Sequence, residues 1–148
     1  PEWTAEKEAE LSRAGIVLET FKGEHISLLT DFLRAEFPGD WQRLMRETML
    51  SIVREESAAD RVLLATENGR CVGFCQHDGE RFGPFGVALS HRGRGIGAVL
   101  LGRCLKNMAA RGFYRAWLMW TDDRASRLYS AFGFRETRRY SVMKRNIR

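Results

Sequence analysis

The segment Val87-Ala88-Leu89-Ser90-His91-Arg92-Gly93-Arg94-Gly95-Ile96-Gly97-Ala98 constrains this chain more than any other stretch. An apolar, strand-like run enters a turn with alternate glycines. A stripe at helical spacing, Ile96, Val99, Leu100, Cys104, Leu105 and Met108, leaves it. Strand, glycine turn and helix together make an anion site. The first N–H groups of the helix have no intrahelical partner, the helix dipole is positive there, and glycine lets a phosphate approach the backbone. Gly93, Gly95 and Ala98 also fit a dinucleotide fingerprint, with Asp122 and Asp123 standing where a ribose-binding acid is expected. A doubly wound sheet puts that fingerprint after its first strand, whereas here several strand-like runs precede it and only about fifty residues follow. A Walker loop is excluded, because no Gly-Lys-Ser or Gly-Lys-Thr occurs.

Charge agrees with an anionic ligand. Lys plus Arg number 24 against 19 Asp plus Glu, for a net charge of +5, and the run from Arg92 to Arg115 carries Arg94, Arg103, Lys106 and Arg111 with no acidic residue. The 148 residues suffice for one domain, and 44% hydrophobic with 29% charged residues is the balance of a globular chain. The three cysteines, Cys71, Cys75 and Cys104, form neither a CxxC pair nor a His cluster, so no disulfide framework or zinc site is expected and the compartment is predicted to be reducing and cytoplasmic. No apolar run reaches the roughly 18 to 20 residues of a membrane span and no signal peptide is evident, so no membrane partner is expected. The chain starts at Pro1, which suggests a fragment of something longer.

Elements read off in order. Pro1 to Gly15 is a helical extension or linker, and residues 16–148 form the domain. Ile16 to Phe21 is a strand, Glu24 to Phe37 and Trp41 to Glu56 are helices separated by Pro38-Gly39, and Arg61 to Thr66 and Cys71 to Gln76 are strands joined through Asn68-Gly69, a strong hairpin signal. Phe82 to Leu89 is a further strand, with Pro84 demanding a bulge or local opening. Gly95 to Ala110 is a helix, Arg115 to Trp120 a buried central strand, Ala125 to Phe132 a short helix, and Phe134 to Lys144 a last strand. The fold class is α/β (α+β). The alternation Cys71, Gly73, Cys75 places both thiols on one sheet face.

Two motifs resemble the GNAT N-acetyltransferase superfamily. Arg92-Gly93-Arg94-Gly95-Ile96-Gly97 is similar to its Arg/Gln-x-x-Gly-x-Gly/Ala signature. The run Asp122-Asp123-Arg124-Ala125-Ser126-Arg127-Leu128-Tyr129-Ser130-Ala131-Phe132-Gly133-Phe134 resembles its Asn-x-x-Ala-x-x-Leu-Tyr-x-x-x-Gly-Phe segment, with Asp122 in place of Asn. The resemblance implies a mixed, mostly antiparallel sheet of six to seven strands, flanked by about four helices and splayed where acetyl-CoA lies. It implies that Phe85, Gly86 and Val87 pair with the pantetheine, that Arg92, Gly93, Arg94, Gly95, Ile96, Gly97 and Ala98 hold the pyrophosphate, and that Asp122 and Tyr129 also border the cofactor.

Acetyl transfer to an amine needs a neutral amine, an oxyanion donor and a proton for the departing thiolate. A backbone N–H near Val87 is the candidate donor. Tyr129 is the candidate acid, since a phenol of ordinary pKa about 10 is protonated at neutral pH; its plain counterpart is a core aromatic beside Leu128 and Phe132. Among Glu80, Asp78 and His77, which precede the cofactor strand, Glu80 is the preferred base, against a solvated turn for all three. A thiol-borne acetyl through Cys71 or Cys75 is disfavoured, because nothing nearby lowers a thiol pKa. Trp117 and Trp120 are candidates to line the cleft. Trp41, Arg43 and Arg46 occupy the region where the family shapes its acceptor site, and arginines there would favour an acidic acceptor; a solvated helix face is the other reading. The expected activity is an acetyl-CoA-dependent N-acetyltransferase acting by direct attack in a ternary complex on an unidentified primary amine. The other reading is a CoA-binding sensing or interaction module of a larger protein. A homodimer or neighbouring domain is the expected assembly. Nucleic acid is not an expected partner, since the basic residues cluster where a cofactor would sit and no recognition motif is present.

Overall fold

The computed structural model of the protein describes residues 1–119 and 123–137. Its sheet is organised around the Asn68-Gly69 turn, whose residues take φ of 50° and 74°. A turn with two positive φ values matches the twist of antiparallel strands, and this one joins β2 (Val62–Glu67) to β3 (Arg70–Asp78). A second tight turn through Gly79 leads to β4 (Arg81–Val87). With β1 (Ile16–Thr20) the strands form an antiparallel sheet in the order β1-β2-β3-β4.

Helices cover both faces. α2 (Ile26–Glu36) and α3 (Asp40–Val53) pack on one side, where Leu29, Leu33, Met45 and Met49 meet Val62, Leu64 and Phe74. α4 (Ile96–Ala110) covers the other, with Val99, Leu100 and Cys104 against Leu63, Ala65 and Cys75. β2 is therefore buried on both sides, which explains why its sequence is apolar throughout instead of alternating. α1 (Trp3–Arg13) lies along α4. Leu11 enters the core, Glu8 pairs with Arg103, and a Cβ on Gly102 would meet Thr4 at 3.2 Å. α5 (Asp123–Ala131) reaches the same core through Tyr129, and Trp3 of α1 meets Phe132 just beyond it at 5.8 Å between ring centroids.

Two register shifts matter for the site. Cys75 pairs with Phe85 and His77 with Phe82, so Gly83-Pro84 inserts one extra residue in β4. This is the bulge expected at Pro84, where the ring has no N–H to give a ladder. On β3, Ala65 pairs with Gly73 but Thr66 with Cys71, leaving Val72 extra. That bulge corrects the expectation for the thiols, because Cys71 packs toward α2 and α3 while Cys75 faces α4.

The described residues contain four paired strands where six to seven were expected. Of the predicted central strand Arg115 to Trp120, residues 115–119 are described, and they are not buried on both faces. Tyr114, Trp117 and Met119 are exposed, while Phe113, Ala116 and Leu118 pack on the α4 core, so the segment buries one face only. Its link to β4 is a parallel bridge between Arg81 and Trp117. Residues 134–137 form no strand; the remainder of the predicted last strand, like Trp120 and Asp122, lies outside the described residues.

Candidate active site

β4 is joined to residues 115–119 through its first residues. The Phe82 N–H donates to the Trp117 carbonyl at 2.8 Å, and the Trp117 N–H donates to the Glu80 carbonyl at 2.9 Å. Beyond Phe82, among the described residues, no backbone bond continues this ladder, and a cleft of about 760 Å³ opens. The outer edge of β4 from Gly83 to Val87 forms one wall, and Leu118, Met119 and the α5 residues Ala125, Leu128 and Tyr129 form another. The glycine turn closes one end. Phe37, Trp41 and Leu44, at the junction of α2 and α3, line the cleft too, with Phe37 set against Gly86.

The turn has the geometry an anion needs. Gly93 and Gly95 take φ of 79° and 86°, values that cost an L side chain about 1–2 kcal/mol, and Gly95 is the N-cap of α4. No acidic residue stands in the first turn of the helix. Arg92 borders the cleft with its Nε donating to the Val87 carbonyl at 3.3 Å, a contact that ties the turn to the end of β4. Behind the turn, Glu67 at the end of β2 receives His91 Nε2 at 3.0 Å and faces Arg94 Nη1 at 3.8 Å. The His91 hydrogen bond is the main reason the Glu67 carboxyl sits below its usual range; burial opposes it, and the charges of His91 and Arg94 add smaller lowering effects. Glu67 was not singled out in the sequence; its only signal is its place beside the hairpin turn, which says nothing about a loop far along the chain.

The basic run beyond Arg92 is largely compensated. Arg94 faces Glu67, Arg103 pairs with Glu8, Arg111 with Asp60, and Arg115 stands 3.9 Å from Glu80. Arg92 and Arg81, both at the cleft, have no carboxylate partner among the described residues. Among the described residues, the positive field at the cleft therefore comes from these two guanidinium groups and the turn backbone, and less from the whole run than its sequence suggests.

Of the residues expected at the site, Phe85, Gly86, Val87, Arg92, Gly93, Gly95, Ile96, Gly97, Ala98 and Tyr129 line the cleft. Arg94 stands behind it. Tyr129 is 8% exposed, its ring braced by Phe82, Phe85 and Phe134 at centroid distances of 6.0, 6.1 and 5.4 Å. It is thus both a core aromatic and a cleft residue. Glu80 does not line the cleft; its carboxylate turns toward Arg115. Asp78 pairs with Arg61 at 3.5 Å. His77 corrects the expectation of a solvated turn. It is a buried β3 residue beside Phe113, its Nδ1 lies 3.2 Å from the Gly79 carbonyl, and burial lowers its pKa. Trp41 lines the cleft while Arg43 and Arg46 are exposed on the outer face of α3, so the two arginines form the solvated helix face and not a cationic wall of the cleft. Trp117 is half exposed and outside the cleft, and its neighbours Leu118 and Met119 take the place expected of it. Burial pushes the Cys71 thiol up to about 12 and the Cys75 thiol well above its ordinary value, which keeps both protonated.

Residues 26–134 match the family described as the acetyltransferase (GNAT) family. The chain belongs to that family. Solved GNAT structures superpose on most of it. The aminoglycoside acetyltransferase AAC(6')-Iy, in complex with a CoA bisubstrate analogue of acetylneamine, is 16% identical, with 89% of this chain and 99% of that chain covered and a TM-score of 0.63. A predicted acetyltransferase with acetyl-CoA from Clostridium acetobutylicum is 14% identical over 87% of this chain and 96% of that one, with a TM-score of 0.65. A GCN5-related N-acetyltransferase from Sphaerobacter thermophilus is 26% identical over 80% of this chain but 41% of that one, with a TM-score of 0.63. No curated protein matches the chain. The GNAT fold accounts for the splay, since the cleft opens where β4 parts from its parallel neighbour. Among the described residues no helix is long and apolar enough to cross a membrane.

Proposed function

We propose that this protein is an N-acetyltransferase that binds acetyl-CoA in the cleft and delivers the acetyl group to a primary amine by direct attack in a ternary complex. The observation that carries the proposal is the junction of an open β4 edge with the glycine turn at one end of a single cleft, opposite Tyr129. An open strand edge suits an extended amide-bearing chain such as pantetheine, and a helix N-terminus with two left-handed glycines suits its pyrophosphate.

Acetyl-CoA supplies the thioester carbonyl that the amine nitrogen attacks. This chain's residues do the rest. Phe85, Gly86 and Val87 align the pantetheine, and a backbone N–H near Val87 donates to the oxygen that gains charge. Arg92 and the backbone of residues 93–98 hold the phosphates, with Arg94 positioned behind them by Glu67. Asp122 is proposed at the cofactor, as the motif implies. Tyr129 Oη carries the proton that the leaving sulfur takes up when the C–S bond breaks, its ring held in place by Phe82 and Phe85. Glu80 adjoins the cleft residue Arg81 in sequence and acts as base through water, because its carboxylate does not line the cleft. The two buried thiols have no role, as a protonated sulfur is a poor nucleophile.

Calorimetric titration with acetyl-CoA tests the reading. Binding at micromolar concentration is expected, and Gly95→Asp should abolish it while the far-ultraviolet circular dichroism is retained. No heat from the wild-type protein, or undiminished affinity in a folded Gly95→Asp, refutes the assignment.

A further inference from the structure

The acceptor end of the cleft is built for a flat apolar body. Phe37 and Trp41 lie 4.9 Å apart with their rings inclined by 34°, so they form a nearly continuous wall instead of a closed cage. Both are backed by Phe74, which is fully buried and lies 6.3 Å from Phe37 and 6.0 Å from Trp41. Phe32 braces Phe37 from its other side at 5.8 Å. The Phe37 ring rests on the backbone of Gly86, where an added Cβ would come within 2.5 Å of it. The wall therefore starts one residue from Val87, beside the proposed thioester site.

Charge points the same way. Among the described residues that line the cleft there is no carboxylate, and Arg81, at the start of β4, lines it with no carboxylate partner among them. The acids that flank this wall in sequence are committed elsewhere, since Glu36 Oε2 accepts from the Leu89 N–H at 3.3 Å and Asp40 faces Arg43 at 4.0 Å on the outer surface. A polyamine or aminoglycoside would bring extra ammonium groups past Arg81 into a largely apolar space where none of the described lining residues supplies a counter-charge, which is costly. A single amine on an aromatic body loses only the charge that it must lose anyway to attack, and it gains offset stacking on the wall.

We propose that the acceptor is an arylalkylamine-type monoamine and that Arg81 excludes polycations. The inference rests on the acetyl-transfer reading above. The test is a comparison of kcat/KM for tryptamine, phenethylamine, spermidine and kanamycin by thiol release, with product mass confirmed. About tenfold or greater preference for the two aromatic amines is expected, falling toward parity in Trp41→Ala. Arg81→Glu should raise the rate with spermidine relative to tryptamine. Preference of the wild type for spermidine or kanamycin, or an unchanged ratio in a folded Trp41→Ala, overturns the acceptor assignment alone. Failure to acetylate any of the four while acetyl-CoA binds overturns the enzymatic reading as well.

Discussion

Replacing Gly86 by alanine tests the wall of the cleft directly. The new methyl would lie 2.5 Å from both Cε2 and Cζ of Phe37, closer than any real Cβ contact, so the ring must move. It cannot swing freely, because Phe32, Trp41 and Phe74 surround it. Overpacking of this kind costs about 1–3 kcal/mol. The stiffer unfolded chain of the variant offsets about 0.4–1 kcal/mol of that. The clash wins, with a net loss of about 1–2 kcal/mol, or a fall in Tm of about 3–6 °C for a chain of this size. Urea denaturation of Gly86→Ala, Phe37→Ala and the double variant closes a double-mutant cycle. With the ring removed the methyl has room, so the double variant should be more stable than the sum of the single effects by about 1 kcal/mol or more. Additivity within about 0.5 kcal/mol would refute the packing argument, and with it the claim that Phe37 is held against β4.

Tyr129→Phe should lower turnover about tenfold or more with little change in acetyl-CoA affinity, and Glu80→Gln should shift the acid limb of the pH–rate profile; unchanged rates and profiles would remove these residues from their roles. His77 is neutral in the fold because burial lowers its pKa below 6.5. Below that pH the unfolded chain binds more protons, so stability is complete above 6.5 and is lost as the pH falls toward the folded-state value. Thermal melts of His77→Phe should show a flatter acid slope in that window, and an unaltered slope would contradict the assignment. The lowered carboxyl of Glu67 contributes stability above 4.5 that disappears as the pH drops through its folded value. Glu67→Gln should remove that dependence and weaken acetyl-CoA binding severalfold by freeing His91 and Arg94; equal affinity to the wild type would show that the turn orders itself without Glu67.

Local chemistry made most of the elements and half of the site legible in the sequence. Asn68-Gly69 encodes its hairpin because both residues tolerate positive φ, and Pro84 encodes its bulge because it lacks an N–H. Gly93 to Ala98 declares an anion turn because strand, glycines and helix N-terminus are consecutive, so no long-range fact is needed to assemble it. Tertiary structure decided what depends on residues far apart in the chain. The extra residue at Val72 sends Cys71 and Cys75 to opposite faces, although their spacing reads as one face. Arg94, Arg103, Arg111 and Arg115 of the basic run meet Glu67, Glu8, Asp60 and Glu80 from other elements, whereas Arg92 and, on β4, Arg81 line the cleft with no carboxylate partner among the described residues. The cleft wall is aromatic instead of cationic because helical phase turns Trp41 inward and Arg43 and Arg46 outward, and Phe37 joins it across the break between the two helices. Periodicity and turn residues act over a few neighbours, whereas charge pairing and cleft lining are set by contacts that exist only once the sheet and its helices have packed.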